Sequence, residues 1–199
     1  MRNALGIIFI CGLLLVASLP VAAQEPANEP QLPERFVGHM ANLGGPGAGP
    51  GAAFFTLHID QYSTEQEILE LLALLKKDGQ DAVIEALWDM EEKGWIKVGN
   101  SLGYHVAIIR SFESEGGRVI RVLTDRPIQF VESMRGLRSK DYPFGIIEVR
   151  IGPDGTGNGV LIAAAKAKFT DKGQVEIESF GTQPIKILNL KQKKIKKKK

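Results

Sequence analysis

The chain has 199 residues, with 25 Lys and Arg against 23 Asp and Glu, which gives a formal net charge of +2. A hydrophobic fraction of 44% and a charged fraction of 24% exclude an intrinsically disordered chain, a collagen-like chain and a disulfide-dense scaffold. The composition is that of an ordinary globular protein, and the length suits one domain or two.

The first residues have the pattern of a secretory signal peptide. The basic residue Arg2 precedes an apolar run over residues 4–16, and small residues lead up to Ala23. We therefore predict cleavage between Ala23 and Gln24 and a secreted or periplasmic mature protein. The alternative is a retained membrane anchor, which needs about 20 apolar residues. The single cysteine, Cys11, lies inside the apolar run, so we expect a mature protein without a disulfide or a cysteine metal site.

A proline-rich segment over residues 24–34 predicts an extended linker in front of one domain, residues 35–190. The domain begins with a candidate strand over residues 35–42. Residues 44–51 contain only Gly, Pro and Ala, which is typical of a wide connection between strands. Apolar and polar residues then alternate over residues 55–59 and predict a second strand with one buried face.

Residues 64–93 predict a helical hairpin. Two pairs have the spacing of a capping box, Ser63 with Gln66 and Thr64 with Glu67, and either serine or threonine is expected to cap the helix. Ile68, Leu71 and Leu75 recur on one helical face. Gly79 separates this helix from a second one that we predict to run to residue 93. We expect the hairpin to bury its apolar stripe and to act as a lid on the β-rich body.

The rest of the chain is rich in predicted strands separated by Gly-containing turns. These strands cover residues 95–98, 104–112, 118–123, 144–151, 160–169, 174–180 and 185–190. Together with the first two they predict an α+β fold with about nine antiparallel strands, closed as a barrel or split into a sandwich. A small barrel with a helical hairpin resembles the calycins, which include intracellular lipid-binding proteins, and this resemblance concerns the fold alone.

One long crossing interrupts the predicted strands between residues 125 and 140. It concentrates cations and ends in an aromatic Tyr-Pro-Phe sequence. Two interpretations stay open, because long crossings either plug the end of a barrel or carry function. In the structural interpretation, Asp125 and Asp141 pair with nearby arginines. The candidate functional residues of the crossing are Asp125, Arg126, Arg135, Arg138, Asp141 and Tyr142.

Charge is distributed unevenly along the chain. Residues 64–92 hold nine acidic and two basic side chains, whereas residues 191–199, the lysine tail, hold seven lysines and no acid. We predict that the tail is disordered. It either serves solubility alone, contacts an anionic envelope surface, or folds back on the acidic hairpin. Without an interleaved aromatic it offers no platform for specific nucleic-acid binding. The lysines of the anionic-surface hypothesis are Lys191, Lys193, Lys194, Lys196, Lys197, Lys198 and Lys199.

The sequence contains no motif that predicts a catalytic residue, a metal site or a cofactor. The glycine loop at residues 44–51 leads into a strand without the Gly-Lys-Ser/Thr of a phosphate-binding loop. Residues 154–159 resemble a calcium loop, but position twelve is Ala165 where a glutamate is required. His58 and Asp60 share one strand face, and a hydrogen-bonded pair is favoured over a metal site.

A hydrolytic carboxylate pair is the enzymatic alternative, because its two members can be distant along the chain. The carboxylates to consider for that role are Asp60, Asp125, Asp141 and Glu148.

Four short motifs also carry a resemblance to a group of exported bacterial proteins with no assigned activity. They are Gly44-Gly45-Pro46-Gly47, Thr124-Asp125-Arg126-Pro127-Ile128, Ser139-Lys140-Asp141-Tyr142-Pro143-Phe144 and Gly181-Thr182-Gln183-Pro184. The resemblance spans about residues 35–190 and implies export and a single domain, and it implies no catalytic residues.

The sequence therefore favours an exported, non-catalytic domain that binds an apolar small molecule or an envelope component, with the lysine tail contacting anionic surfaces. An envelope hydrolase that uses Asp or Glu is one alternative, and a structural or protein-binding module is another. The sequence does not determine the oligomeric state.

Overall fold

A computed structural model of the chain describes residues 30–42, 51–100, 102–126, 128, 141–170, 173–180 and 184–195. The predicted cleavage site at Ala23 and Gln24 lies outside the described residues, as do Arg135 and Arg138 of the crossing.

Ten strands form one antiparallel sheet that closes almost completely into a barrel. The strands are β1 (Glu34–Asn42), β2 (Gly51–Ile59), β3 (Gly94–Val98), β4 (Tyr104–Val106), β5 (Ile108–Ser114), β6 (Gly117–Thr124), β7 (Phe144–Ile151), β8 (Thr156–Phe169), β9 (Val175–Ser179) and β10 (Ile185–Gln192). Their order around the barrel is β4-β3-β2-β1-β10-β8-β7-β6-β5, and β9 pairs with β8. The predicted α+β fold is confirmed as a barrel.

The barrel has ten strands because the predicted strand over residues 104–112 breaks at Ala107. The part before the break, β4, pairs with β3, and the part after it, β5, pairs with β6. The two edges of the sheet thus meet in one continuous stretch of chain. Ser63 bonds to this stretch as well, because its backbone N–H donates to the Ile109 carbonyl at 2.8 Å and its Oγ accepts from the Ile109 N–H at 3.0 Å.

Strand β8 begins at Thr156, four residues before the predicted start, because its glycines allow close backbone contact. A Cβ atom at Gly157 would overlap the Arg150 carbonyl, and one at Gly159 would overlap the Glu148 carbonyl. The Gly-rich sequence that predicts a turn is therefore partly strand, held against β7. Strand β2 likewise begins at Gly51, inside the predicted glycine loop.

Among the described residues, twenty buried side chains occupy the interior of the barrel, and the largest of them include Phe36, Phe55 and Leu57. Alternation along each strand produces this arrangement, because every second residue faces inward.

The helical hairpin, α1 (Glu65–Asp78) and α2 (Gln80–Asp89), packs on the outside of the barrel wall. Its Leu71, Val83 and Leu87 form a second core with Phe144 of β7 and Ala165 of β8. The hairpin buries its apolar stripe, as expected, against strands of the barrel wall. In the part of the chain that the structure describes, no helix has the length and apolarity that a membrane crossing requires.

The observed helix ends agree with the predicted capping box but shorten the second helix. Thr64 Oγ1 accepts from the Glu67 N–H at 3.2 Å, and the Glu67 carboxylate accepts from the Thr64 N–H at 2.6 Å. The second helix ends at Asp89 and not at residue 93, because Met90 is extended.

Strand β10 continues two residues into the segment that was predicted to be disordered. Lys191 pairs with Val37 of β1, and Gln192 pairs with Phe36. The prediction of disorder is therefore wrong for these two residues, which complete the β1–β10 ladder. Residues 196–199 lie outside the described part.

Candidate functional site

A buried polar cluster lies at one end of the barrel, called the polar end. The Glu34 carboxylate accepts from two guanidinium nitrogens of Arg118, from the Tyr62 hydroxyl, and from Gln192 Nε2 at 2.7 Å. The Glu34 side chain is only 1% exposed and that of Arg118 only 15%. The Arg118 guanidinium also lies 5.6 Å from the ring centroid of Phe36. The cluster joins residues from four distant parts of the chain.

Burial and hydrogen bonding fix the protonation of this cluster. Burial raises the pKa of Tyr62 far above its ordinary value, and the hydrogen bond to Glu34 raises the pKa further. Burial alone would lower the pKa of Arg118, but the hydrogen bonds and charge interactions with Glu34 and Tyr62 together outweigh burial and raise the pKa. Tyr62 is therefore a neutral donor and Arg118 a cation at physiological pH.

A second ion pair lies at the same end, next to the start of β3. Lys93 Nζ lies 3.0 Å from Glu67 Oε1, and the Lys93 side chain is 7% exposed. Although partial burial opposes it, hydrogen bonds from Thr64 and Lys93 lower the pKa of Glu67. The Lys93 carbonyl accepts from the N–H groups of Asp60 and Gln61 at 2.9 and 3.1 Å, so the pair ties the helical hairpin to the barrel.

The opposite end, called the apolar end, is closed by the start of the crossing. Ile128 is 1% exposed, and its N–H donates to the Ala163 carbonyl at 2.9 Å. Thr124 Oγ1 accepts from the Gly145 N–H at 2.8 Å. A Cβ at position 145 would lie 2.6 Å from that hydroxyl and 3.0 Å from Ile128, so glycine is needed for this close approach. Ile128, at the start of the crossing, is therefore packed into this end of the barrel.

The remaining candidate residues of the crossing lie in separate contacts. Asp125 Oδ1 lies 3.5 Å from Arg126 Nε, and Arg126 lies 5.7 Å from the Tyr104 ring centroid. The Asp141 carbonyl accepts from Gln80 at 3.3 Å. These contacts bind the two ends of the crossing to the barrel and the hairpin.

Tyr142 makes the last of these contacts, with the segment around β9. Its hydroxyl donates to Glu178, and this hydrogen bond raises the pKa of Tyr142 to about 12. Its ring meets that of Phe180 edge-on at 5.0 Å between centroids.

An open groove of about 490 Å³ crosses the outer surface of β6, β7 and β8 beside the polar end. Val119 and Val160 supply apolar lining, while Glu148, Arg150 and Asn158 supply polar groups. Arg150 is 72% exposed, and its Nη2 lies 3.1 Å from Glu148 Oε1. Several glycines contribute to the lining, namely Gly116, Gly117, Gly152, Gly157 and Gly159. The groove can therefore hold a molecule with both hydrogen-bonding groups and apolar surface.

Three of the carboxylates considered for hydrolysis have basic partners of their own. Asp60 bonds to His58 Nε2 at 3.1 Å, which confirms that these two residues form a hydrogen-bonded pair. Asp125 lies beside Arg126, and Glu148 contacts Arg121 Nε at 2.9 Å. The described residues contain no group of three or more His, Cys, Asp or Glu side chains that could hold a metal ion.

Sequence reasoning missed the polar end. Glu34 lies in the segment predicted to be a linker, and Arg118 and Gln192 belong to separate strands. The only local signal was the alternation in β1, which extends back from Phe36 and places Glu34 on the inward face. The groove was missed because glycines supply much of its lining, and their sequence is typical of turns.

No protein-family model, no curated protein and no solved structure matches this chain.

Proposed function

We propose that the protein is an exported, non-catalytic binding domain that holds a polar component of the cell envelope in the groove on β6, β7 and β8. The lysine tail contacts an anionic surface in this proposal. The observation that carries the proposal is the groove itself, which combines an exposed arginine, a carboxylate, an amide and apolar lining in a volume suited to a small ligand.

The groove suits a ligand rich in hydroxyl or amide groups. Arg150 donates several hydrogen bonds, Glu148 accepts them, and Asn158 does both. Glu148 is held from two sides by Arg121 and Arg150, so its carboxylate stays fixed when a ligand displaces water. A carboxylate held in this way selects a ligand by the geometry of the hydrogen bonds between them.

The groove is a better binding place than the barrel interior. Twenty buried side chains already occupy the interior, and inserting an apolar ligand would require displacing them from a packed core. Of the two ligand classes that the sequence favoured, the envelope component therefore has the stronger support.

Native mass spectrometry of the protein purified from its own envelope tests the proposal. We expect a non-covalent adduct on a chain that begins at Gln24, and we expect Arg150→Ala to lose the adduct. The matched control is Lys168→Ala, which removes a cation that is 50% exposed on β8 and pairs with Glu176. A wild-type chain without an adduct, or an adduct that Arg150→Ala retains, would contradict binding in the groove. A mature chain that still carries residues 1–23 would contradict export with cleavage.

A further inference from the structure

The outer surface of β10, β1, β2 and β3 carries cations without acids. Outward positions on these four adjacent strands contain no Asp or Glu, and the one acid within them, Glu34, is buried in the polar end. Acids beyond the strand ends include Asp60 and Glu92, which pair with His58 and His105, and Asp154, which precedes the Gly155 carbonyl that accepts from the Gln192 N–H. We call this surface the basic face, and its exposed cations are Arg35, Lys97, Lys186, Lys191 and, directly after β10, Lys193.

Exposed apolar side chains lie among these cations. Phe54 is 71% exposed and Leu188 is 37% exposed. Both pair in register with His39, Phe54 from β2 and Leu188 from β10, so the three side chains form one row across the barrel wall. The His39 and Phe54 rings lie 5.1 Å apart between centroids. Contact with water does not stabilise exposed apolar side chains, whereas an apolar or interfacial partner would bury this row.

A second row contains a tryptophan between polar groups. Trp95 stacks on His58 with 5.2 Å between ring centroids, and the Arg35 guanidinium lies 5.9 Å from the Trp95 ring. Tryptophan flanked by long cationic side chains is the combination that proteins place at the boundary between lipid headgroups and water.

Positive and negative charges lie on different sides of the barrel. The acidic helical hairpin covers another wall of the barrel, formed by β7 and β8. The lysine tail leaves the barrel at the basic face, because the Lys193 N–H donates to the Arg35 carbonyl at 2.7 Å. The described start of the tail, residues 191–195, therefore continues the positive surface of the basic face, and the negative hairpin packs on a different wall.

We propose that the basic face docks on a bilayer surface containing anionic phospholipid, with Phe54, Leu188 and Trp95 entering the headgroup region. This inference rests on the anionic-surface contact of the proposed function and extends that contact from the tail to the folded barrel. An exposed phenylalanine and leucine strengthen binding to a lipid interface by burying apolar surface. A highly charged polysaccharide or a nucleic-acid backbone would interact favourably with the cations alone. The chemistry of the whole face therefore favours lipid.

Sedimentation with vesicles of phosphatidylglycerol and phosphatidylcholine tests the inference. The variant Lys97→Gln/Lys186→Gln/Lys191→Gln removes three cations from the face, and each is expected to weaken binding about fivefold. We expect a combined loss on the order of a hundredfold at low salt. The matched control, Lys76→Gln/Lys77→Gln/Lys168→Gln, changes the net charge equally on other surfaces and is expected to bind like wild type.

A third chain, ending at Lys193, separates the face from the rest of the tail. We expect it to bind more weakly than the full chain but to remain sensitive to the three face substitutions. Binding lost through this truncation and unaffected by the face substitutions would overturn the inference and leave the tail contact of the proposed function standing. A full chain that does not bind the vesicles would overturn both the docking of the basic face and the tail contact. Ligand binding in the groove is tested separately by native mass spectrometry. Tighter binding to a single-stranded oligonucleotide or an anionic polysaccharide than to vesicles would overturn the assignment to lipid.

Tryptophan fluorescence reports the orientation directly, because the chain has two tryptophans on different surfaces. Trp95 lies on the basic face, and Trp88 lies on α2, where it is 65% exposed. With vesicles, we expect the emission of Trp88→Phe to shift to shorter wavelength and that of Trp95→Phe to stay unchanged. The reverse pattern would place the hairpin against the membrane and overturn the proposed orientation.

Discussion

The two ends of the barrel are closed by opposite chemistry. At the polar end, two ion pairs, Glu34–Arg118 and Glu67–Lys93, lie where three of the four side chains are at most 15% exposed. At the apolar end, Ile128 enters the core beside Gly145. Both ends keep water from the same interior cluster, but they should fail in different ways.

The difference follows from what each substitution leaves behind. An unpaired charge in a buried site has a large desolvation cost, even where the intact pair contributes little net stability. A shortened apolar side chain leaves only a cavity, and its cost grows with the volume that is lost. The polar end should therefore be sensitive to which partners are present, and the apolar end to size alone.

Glu34→Ala should have the largest effect, because it leaves the Arg118 guanidinium buried without its carboxylate. We expect the free energy of unfolding to fall by about 3–5 kcal/mol. Urea unfolding followed by circular dichroism measures this loss through the transition midpoint.

Removing both charges and the tyrosine hydroxyl together, with Gln192 left in place, controls for this result. The variant Glu34→Leu/Tyr62→Phe/Arg118→Met eliminates the charges and the hydroxyl that the cluster satisfies. Replacement of a buried ion pair by apolar residues is often close to neutral, so we expect most of the stability to return. A triple variant as unstable as Glu34→Ala would show that shape, and not charge pairing, determines the stability of the polar end.

The same contrast explains which parts were predictable from sequence. The strand over residues 144–151 and the capping box at the start of the first helix were predicted from local sequence, and each appears in the structure close to its predicted place. Glu34 and Arg118 are 84 residues apart, and their meeting depends on how the sheet closes, which no local pattern encodes. The break at Ala107 was also not predictable from sequence, because residues on both sides of it have strand character and only the partner strand changes.

Ile128→Ala tests the apolar end. We expect the free energy of unfolding to fall by about 2–5 kcal/mol, because the alanine leaves a cavity where the barrel core meets the crossing. Ile128→Val removes one methylene and should cost only about 0.5–1.5 kcal/mol. Urea unfolding of both variants gives the comparison, and equal losses for valine and alanine would contradict a cost set by volume.

Glu67→Gln should have the smallest effect and should depend on pH. It replaces the carboxylate that faces Lys93 with an amide, and we expect a loss of about 1–2 kcal/mol at neutral pH. The folded state lowers the pKa of Glu67 below its ordinary value of 4.5. The ionised carboxylate therefore stabilises the fold above pH 4.5 or so, and this contribution disappears as the pH falls through the lower, folded pKa.

Urea titrations at a series of pH values distinguish this ion pair from simple packing. The difference between wild type and Glu67→Gln should shrink towards zero in acid, whereas the loss caused by Ile128→Ala should be the same at every pH. Glu70→Gln, which removes an exposed carboxylate from the same helix, should show neither effect. A Glu67→Gln loss that persisted in acid would mean that the side chain acts through its shape. Both barrel ends would then be stabilised by packing, although the polar end is built from charged side chains.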